Sequence, residues 1–198
     1  MVNASYLVRQ LNRNIQDLPD GFYDTFDYTK RGNNLTHPIT LGILTKIILE
    51  DDSVFRPAID LRLNRGNKIK FQPDIVVLNK ELKPTLYVDY ESPNSCDCRI
   101  PCKDVNSYLR WSEDMNELLP YFIITTLPDG SSPEWQLRYV NKLNRRFKHR
   151  KEEMCQNPFR FWYTYYKAQL PPEDISRICF LNISGKSVSR VSLNRDTL

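Results

Sequence analysis

Two apolar stretches near the middle of this 198-residue chain carry acids at their ends. The first reads Gln72-Pro73-Asp74-Ile75-Val76-Val77-Leu78 and the second Leu86-Tyr87-Val88-Asp89-Tyr90-Glu91. Alternation along an extended strand places Asp89 and Glu91 on the same face. A hairpin through the polar turn Asn79–Pro84 would bring Asp74 beside them at the rim of a sheet. Three carboxylates gathered there repel one another unless something neutralises them. The plainer reading is three solvated acids at strand ends. The chemical reading is a hard divalent cation, Mg2+ or Mn2+, which takes carboxylate oxygens, water and substrate phosphate as ligands.

The elements that must position these acids follow from patterning. Residues 1–37 are polar and turn-rich, an irregular or helical lead-in. From Pro38, residues Leu41, Leu44, Ile47 and Ile48 recur at helical spacing as far as Glu50, and proline suits a first helical turn. Val54–Leu63 alternates as a strand, and Ile69–Leu78 and Thr85–Glu91 make two more. Lys103–Leu119 is helical, with Val105, Tyr108, Leu109, Met115, Leu118 and Leu119 on one broad face. Tyr121–Leu127 is continuously apolar, as in a strand buried on both faces. Pro133 opens a basic helix with a stripe of Trp135, Tyr139, Val140, Leu143 and Phe147. The expected fold class is α/β, a mixed central sheet flanked by helices. Residues 38–150 would form the core and 151–198 an extension packed on it, a single domain overall.

Composition removes several function classes. No apolar run approaches the roughly 20 residues of a membrane span. The first twenty residues carry Arg9, Arg13, Asp17 and Asp20 and no apolar core of a secretory signal, so a cytoplasmic location is expected, or a nuclear one in a eukaryote. The only histidines, His37 and His149, lie far from any obvious ligand cluster, which argues against histidine-rich metal sites and a histidine triad. The six glycines are scattered, so no glycine-rich phosphate loop can form. Ser184-Gly-Lys-Ser187 has the ending of such a loop, but the position of its leading glycine is Phe180.

The acidic motif nevertheless sits in a chain of net charge +4. Pro73-Asp74, a short hairpin, then Asp89-x-Glu91 after an apolar strand resembles the signature of the PD-(D/E)XK nuclease superfamily, whose fold is that of many restriction and repair endonucleases. Val88-Asp-Tyr-Glu-Ser-Pro-Asn-Ser95, a helix with Lys103 and Tyr108, and Pro120-Tyr-Phe-Ile-Ile-Thr-Thr126 are similar to one widespread endonuclease group with a Val-Glu-x-x-Ser-Pro segment. The resemblance covers about residues 38–128. It implies a restriction-endonuclease-like sheet, Mg2+ (or Mn2+) held by Asp74 and Asp89, and hydrolysis of DNA phosphodiester bonds to leave 5′-phosphate ends. Glu91 stands where the superfamily usually has its lysine. Some members move that lysine to the next helix, where Lys103 is the candidate, and some supply an upstream acid, for which Glu50 is the candidate, with Asp51 and Asp52 as adjacent rivals.

A nuclease also needs a surface for phosphates. From Arg138 to Lys151 there are seven Lys/Arg and no acid, and Arg138, Lys142, Arg145 and Lys148 lie opposite the apolar stripe, making DNA the expected partner. Arg62, Arg65 and Lys68–Lys70 form a second basic stretch. The aromatic run Phe159–Tyr166 is expected to be core. Cys96, Cys98 and Cys102 do not have the spacing of a zinc knuckle, and together with Cys155 and Cys179 they read as free thiols. A homodimer, or a place in a larger nucleic-acid-processing complex, suits such a chain. The second functional reading is a nuclease-fold module without catalysis that binds nucleic acid or assembles with a partner.

Overall fold

The computed structural model describes residues 2–24, 36–51, 56–65, 69–91, 102–116, 118–126 and 177–190. In chain order the elements are α1 (Ala4–Asn14), α2 (Thr36–Asp51), β1 (Arg56–Ile59), β2 (Leu63–Arg65), β3 (Ile69–Phe71), β4 (Ile75–Leu78), β5 (Pro84–Glu91), α3 (Cys102–Met115), β6 (Tyr121–Thr125), β7 (Ile178–Ser184) and β8 (Ser187–Arg190). Two single 3-10 turns, Ile15–Asp17 and Phe22–Asp24, follow α1.

Six strands form one mixed sheet in the order β1-β4-β5-β6-β7-β8, while β2 and β3 form a separate ribbon. β1, β4 and β5 are an antiparallel meander. β6 then lies parallel to β5, and β7 parallel to β6. Parallel neighbours require a crossover, and between β5 and β6 it contains α3.

Alternation along the strands divides the core into two layers. One face carries Ile75, Val77, Val88, Tyr90, Phe122, Ile124 and Leu181, packed under Leu7, Leu11, Leu44, Ile47 and Ile48 of α1 and α2. The other carries Val76, Tyr87, Tyr121, Ile123 and Phe180 under Val105, Tyr108 and Trp111 of α3. The expected mixed α/β architecture with helices on both faces is therefore observed. Among the described residues, no helix is long and apolar enough to cross a membrane.

Three boundaries differ from the sequence expectation, each for a local reason. The strand expected over Val54–Leu63 is broken after Ile59, because Asp60 takes a left-handed conformation with φ 53°, which a short polar side chain tolerates. The strand expected over Ile69–Leu78 is broken at Pro73, which has no N–H to give a ladder. The helix expected to reach Leu119 stops at Met115, where Asn116 with φ 52° serves as a left-handed terminator.

The lead-in contains the helix α1 and the two 3-10 turns. Asn3 caps α1 by accepting the Tyr6 N–H at 2.9 Å. Asn12 of the same helix then closes the edge of the sheet. Its Nδ2 donates to the Val188 carbonyl at 3.0 Å and its Oδ1 accepts the Val188 N–H at 2.8 Å. An open edge is a template for wrong pairing, and this amide occupies it. Asn12→Ala should cost about 1–3 kcal/mol through the unpaired groups it leaves, read as a lower midpoint in urea with an unchanged slope. The C-terminal residues also differ from expectation: Ile178–Arg190 is built into the central sheet as β7 and β8.

Candidate active site

Asp74 precedes β4 directly, and β5 runs antiparallel beside it, with Ile75 opposite Val88. This register brings Asp74 and Asp89 into reciprocal contact. The Asp74 N–H donates to Asp89 Oδ1 at 2.8 Å, and the Tyr90 N–H donates to Asp74 Oδ2 at 2.7 Å. The second Asp89 oxygen accepts the Tyr121 hydroxyl. Tyr121 begins β6 opposite Tyr87, so it reaches Asp89 diagonally across the parallel pair. Asp89 is 6% exposed, the one buried carboxylate among the described residues.

Glu91 lies on the same face as Asp89, two residues further along β5, and is half-buried. Asp104, in the first turn of α3, completes the group of acids that act on one another. Burial, then Asp104, then Asp74 push the Asp89 carboxyl well above the ordinary carboxylate range. Burial followed by Asp104 does the same to Glu91. Burial, with Asp89 next, raises the Tyr121 phenol, which therefore remains a donor.

His37 enters from the other layer. It is the second residue of α2, its Nε2 lies 3.3 Å from Asp74 Oδ2, and its ring centroid is 5.7 Å from that of Tyr90. The hydrogen bond to Asp74 raises its pKa, against a smaller opposing effect of burial. Because the folded value lies above the unfolded one, this contact stabilises the fold fully below about pH 6.5. The contribution disappears as pH rises through the raised value. The melting-temperature difference between the wild type and His37→Asn should therefore shrink from about 2–4 °C toward zero as pH is raised through that window. A difference independent of pH would remove the ionised contact.

The sequence-derived candidates are thus placed unevenly. Asp74, Asp89 and Glu91 come together at one end of β4 and β5. Lys103 is the second residue of α3, next to Asp104, and its side chain lies outside the described residues. Glu50 is not brought to the acids. It is exposed near the C-terminal end of α2, with Lys46 Nζ 3.7 Å from its carboxylate, about 20 Å along the helix axis from His37. Arg138, Lys142, Arg145 and Lys148 lie outside the described residues, as do Cys96, Cys98 and Cys155. Cys179 is a buried free thiol.

Three members of the site were not singled out by sequence reasoning. An acid in a first helical turn, as at Asp104, usually signals only the helix dipole. Tyr121 reads as the start of an apolar strand. His37 was discounted for its distance along the chain from any ligand.

The chain matches no protein-family model, no curated protein and no solved structure. The metal question therefore rests on the donors themselves. All four carboxylates offer oxygen, the donor type that Mg2+ and Mn2+ prefer, and their mutual repulsion is what a cation would relieve. Among the described residues, no three His, Cys, Asp or Glu side chains already converge as a ready-made cage. Asp74 and Asp89 are spanned by their own backbone and tyrosine bonds. Each carboxylate oxygen nevertheless has a second lone pair beyond the bond it accepts, so the donor set suits a hard cation.

Proposed function

We propose that the chain is a metal-dependent endonuclease of the PD-(D/E)XK kind, with a restriction-endonuclease-like core, hydrolysing DNA phosphodiester bonds at the Asp74–Asp89–Glu91–Asp104 cluster. The observation that carries this reading is the reciprocal bonding of Asp74 with the buried Asp89 inside a group of mutually repelling acids. Such an arrangement opposes folding, and a structural role does not require it. Perturbed carboxyls of this kind are typical of sites that do chemistry. The meander, the helical crossover and the parallel buried strand agree with the layout that the sequence resemblance implies.

Mg2+ or Mn2+ held by Asp74 and Asp89 would supply charge to a non-bridging phosphate oxygen and acidity to a bound water. The protein's own groups have separable tasks. The Tyr121 hydroxyl and the Asp74 N–H fix the rotamer of Asp89. The Tyr90 N–H and His37 fix Asp74. Glu91, whose carboxyl burial and Asp104 push upward, is the candidate to accept or return the proton of the attacking water. Lys103, one residue before Asp104, is the other candidate to orient the attacking water.

Supercoiled plasmid incubated with Mg2+, Mn2+ or EDTA tests the reading. Nicked and linear product is expected with either metal and none with EDTA, and Asp74→Ala and Asp89→Ala should each remove it. No product from folded wild type, or unchanged cleavage by a folded variant, overturns the reading. The alternative is a non-catalytic nuclease-fold module that binds nucleic acid or serves as an assembly subunit. It is favoured by Glu91 standing in the usual place of lysine, and the same assay decides between the two.

A further inference from the structure

We propose that the ribbon formed by β2 and β3 is a phosphate clamp for the backbone of duplex DNA, set directly beside the acidic site. Only the choice of DNA as the polyanion rests on the nuclease reading.

The ribbon is an excursion from the main sheet with a closed neck. β1 and β4 pair as far as Ile59 and Ile75, and the Asp60 N–H then donates to the Asp74 carbonyl at 3.0 Å. Residues 61–65 leave and residues 69–73 return between those two points. The excursion therefore starts and ends at Asp74 itself. The sequence from 61 to 73 carries Arg62, Arg65, Lys68 and Lys70 and no acid. Arg62 is two residues from Asp60, so its Cα lies within about 7 Å of the neck.

One side of the ribbon is anchored. Phe71 is 2% exposed, with its ring centroid 5.0 Å from that of Tyr87 and 5.8 Å from that of Tyr121. Leu61 and Leu63 are partly buried against the same cluster. Tyr121 is also the residue whose hydroxyl holds Asp89, so the ribbon and the site share one aromatic footing.

The other side is left to solvent and is polar. Arg62, Asn64 and Gln72 are exposed, and Lys70 stands opposite Asn64 in the ladder. Arg62 donates its Nε to Gln72 Oε1 at 3.1 Å. That bond orients the guanidinium against a neutral amide, and no carboxylate among the described residues is paired with it. A planar, oriented guanidinium with a lysine in the facing strand suits phosphate oxygens. A cationic ribbon at the neck also supplies what a cluster of acids cannot: attraction for the polyanion those acids would cleave.

The test is binding of a 25-base-pair duplex of arbitrary sequence across a salt series in EDTA, where no cleavage intervenes. Arg62→Gln with Lys70→Gln should weaken binding alike for all sequences. It should also lower the slope of log affinity against log salt by up to about 0.9 for each lost contact. For both contacts, the wild type should lose on the order of ten-fold more affinity than the variant between 50 and 200 mM salt. The control is Lys80→Gln with Lys83→Gln, which removes the same charge from the β4–β5 turn at the other end of these strands and should leave most of the slope intact. The clamp is overturned if wild type does not bind the duplex, if the Arg62/Lys70 variant keeps the wild-type slope, if the control lowers it equally, or if RNA duplex is bound in preference. Duplex binding that fits these expectations without metal-dependent plasmid cleavage would keep the clamp and remove the nuclease reading. Asp89-dependent cleavage with a wild-type slope in the Arg62/Lys70 variant would do the reverse.

Discussion

Asp89→Asn should abolish metal-dependent cleavage and at the same time raise the melting temperature at neutral pH. The first effect follows from removing one of the two proposed cation ligands. The second follows from the acid's surroundings. Asp89 is buried beside Asp74, Glu91 and Asp104, and burial is the main reason that its carboxyl resists ionisation. A carboxyl whose folded pKa is raised lets the unfolded chain lose its proton first. Stability therefore falls as pH rises from about 4 through the raised folded value, and the full penalty is present above it. Asparagine has no charge to desolvate, its Oδ1 still accepts the Asp74 N–H, and the Tyr121 hydroxyl can turn to accept from its amide. Each kcal/mol relieved should appear as about 2–4 °C, and the decline in stability above mildly acid pH should become shallower. An equal loss of stability at pH 5 and pH 8 would mean that Asp89 is held as an ordinary, well-satisfied carboxylate. Sites that trade stability for activity behave in the predicted way.

Mg2+ or Mn2+ should stabilise the wild type strongly, and the effect should vanish in Asp74→Ala and Asp89→Asn. At one hundred times its Kd a ligand adds about 2.7 kcal/mol, which for a chain of this length is about 5–10 °C. Part of that gain is relief of repulsion among Asp74, Asp89, Glu91 and Asp104, so it should be smaller at mildly acid pH, where the raised carboxyls are already protonated. The two variants should differ without metal. Asp74→Ala leaves the Tyr90 N–H without its acceptor and His37 without its partner, and should lose about 1–3 kcal/mol, whereas Asp89→Asn should gain. Because some nucleases bind metal well only with DNA present, the titration is repeated with an uncleavable duplex. A melting temperature indifferent to both metals under both conditions favours the non-catalytic module.

Much of this was legible in the sequence because it depends on short range. The two-residue period of a strand is enough to put Asp89 and Glu91 on one face. The polar turn Asn79–Pro84 is enough to fold β4 back along β5, and with it Asp74 toward Asp89. The apolar spacing of Leu41, Leu44, Ile47 and Ile48 suffices for α2, and the uninterrupted run from Tyr121 for a buried strand. The misreadings came from single residues overriding a pattern. Asp60 in a left-handed conformation and Pro73 without an N–H cut two apparent strands into four, and those cuts create the β2–β3 ribbon.

Partners distant along the chain were decided only by the tertiary structure. His37 reaches Asp74 because α2 lies across the sheet with its N-terminal end at the rim, an orientation that also carries Glu50 away to the far end. Periodicity specifies a helix's face but not which end meets the site. Tyr121 reaches Asp89 only through the parallel register of β5 and β6, which is set by the crossover containing α3. Asp104 reaches Glu91 because that helix packs Val105, Tyr108 and Trp111 onto Tyr87 and Tyr121. Residues 178–190 enter the sheet because β6 offers an edge that β7 can pair with. By itself the sequence determined which acids share a strand face. Packing determined their neighbours, and with them the burial and charge that govern each proton, because both depend on contacts across the sheet.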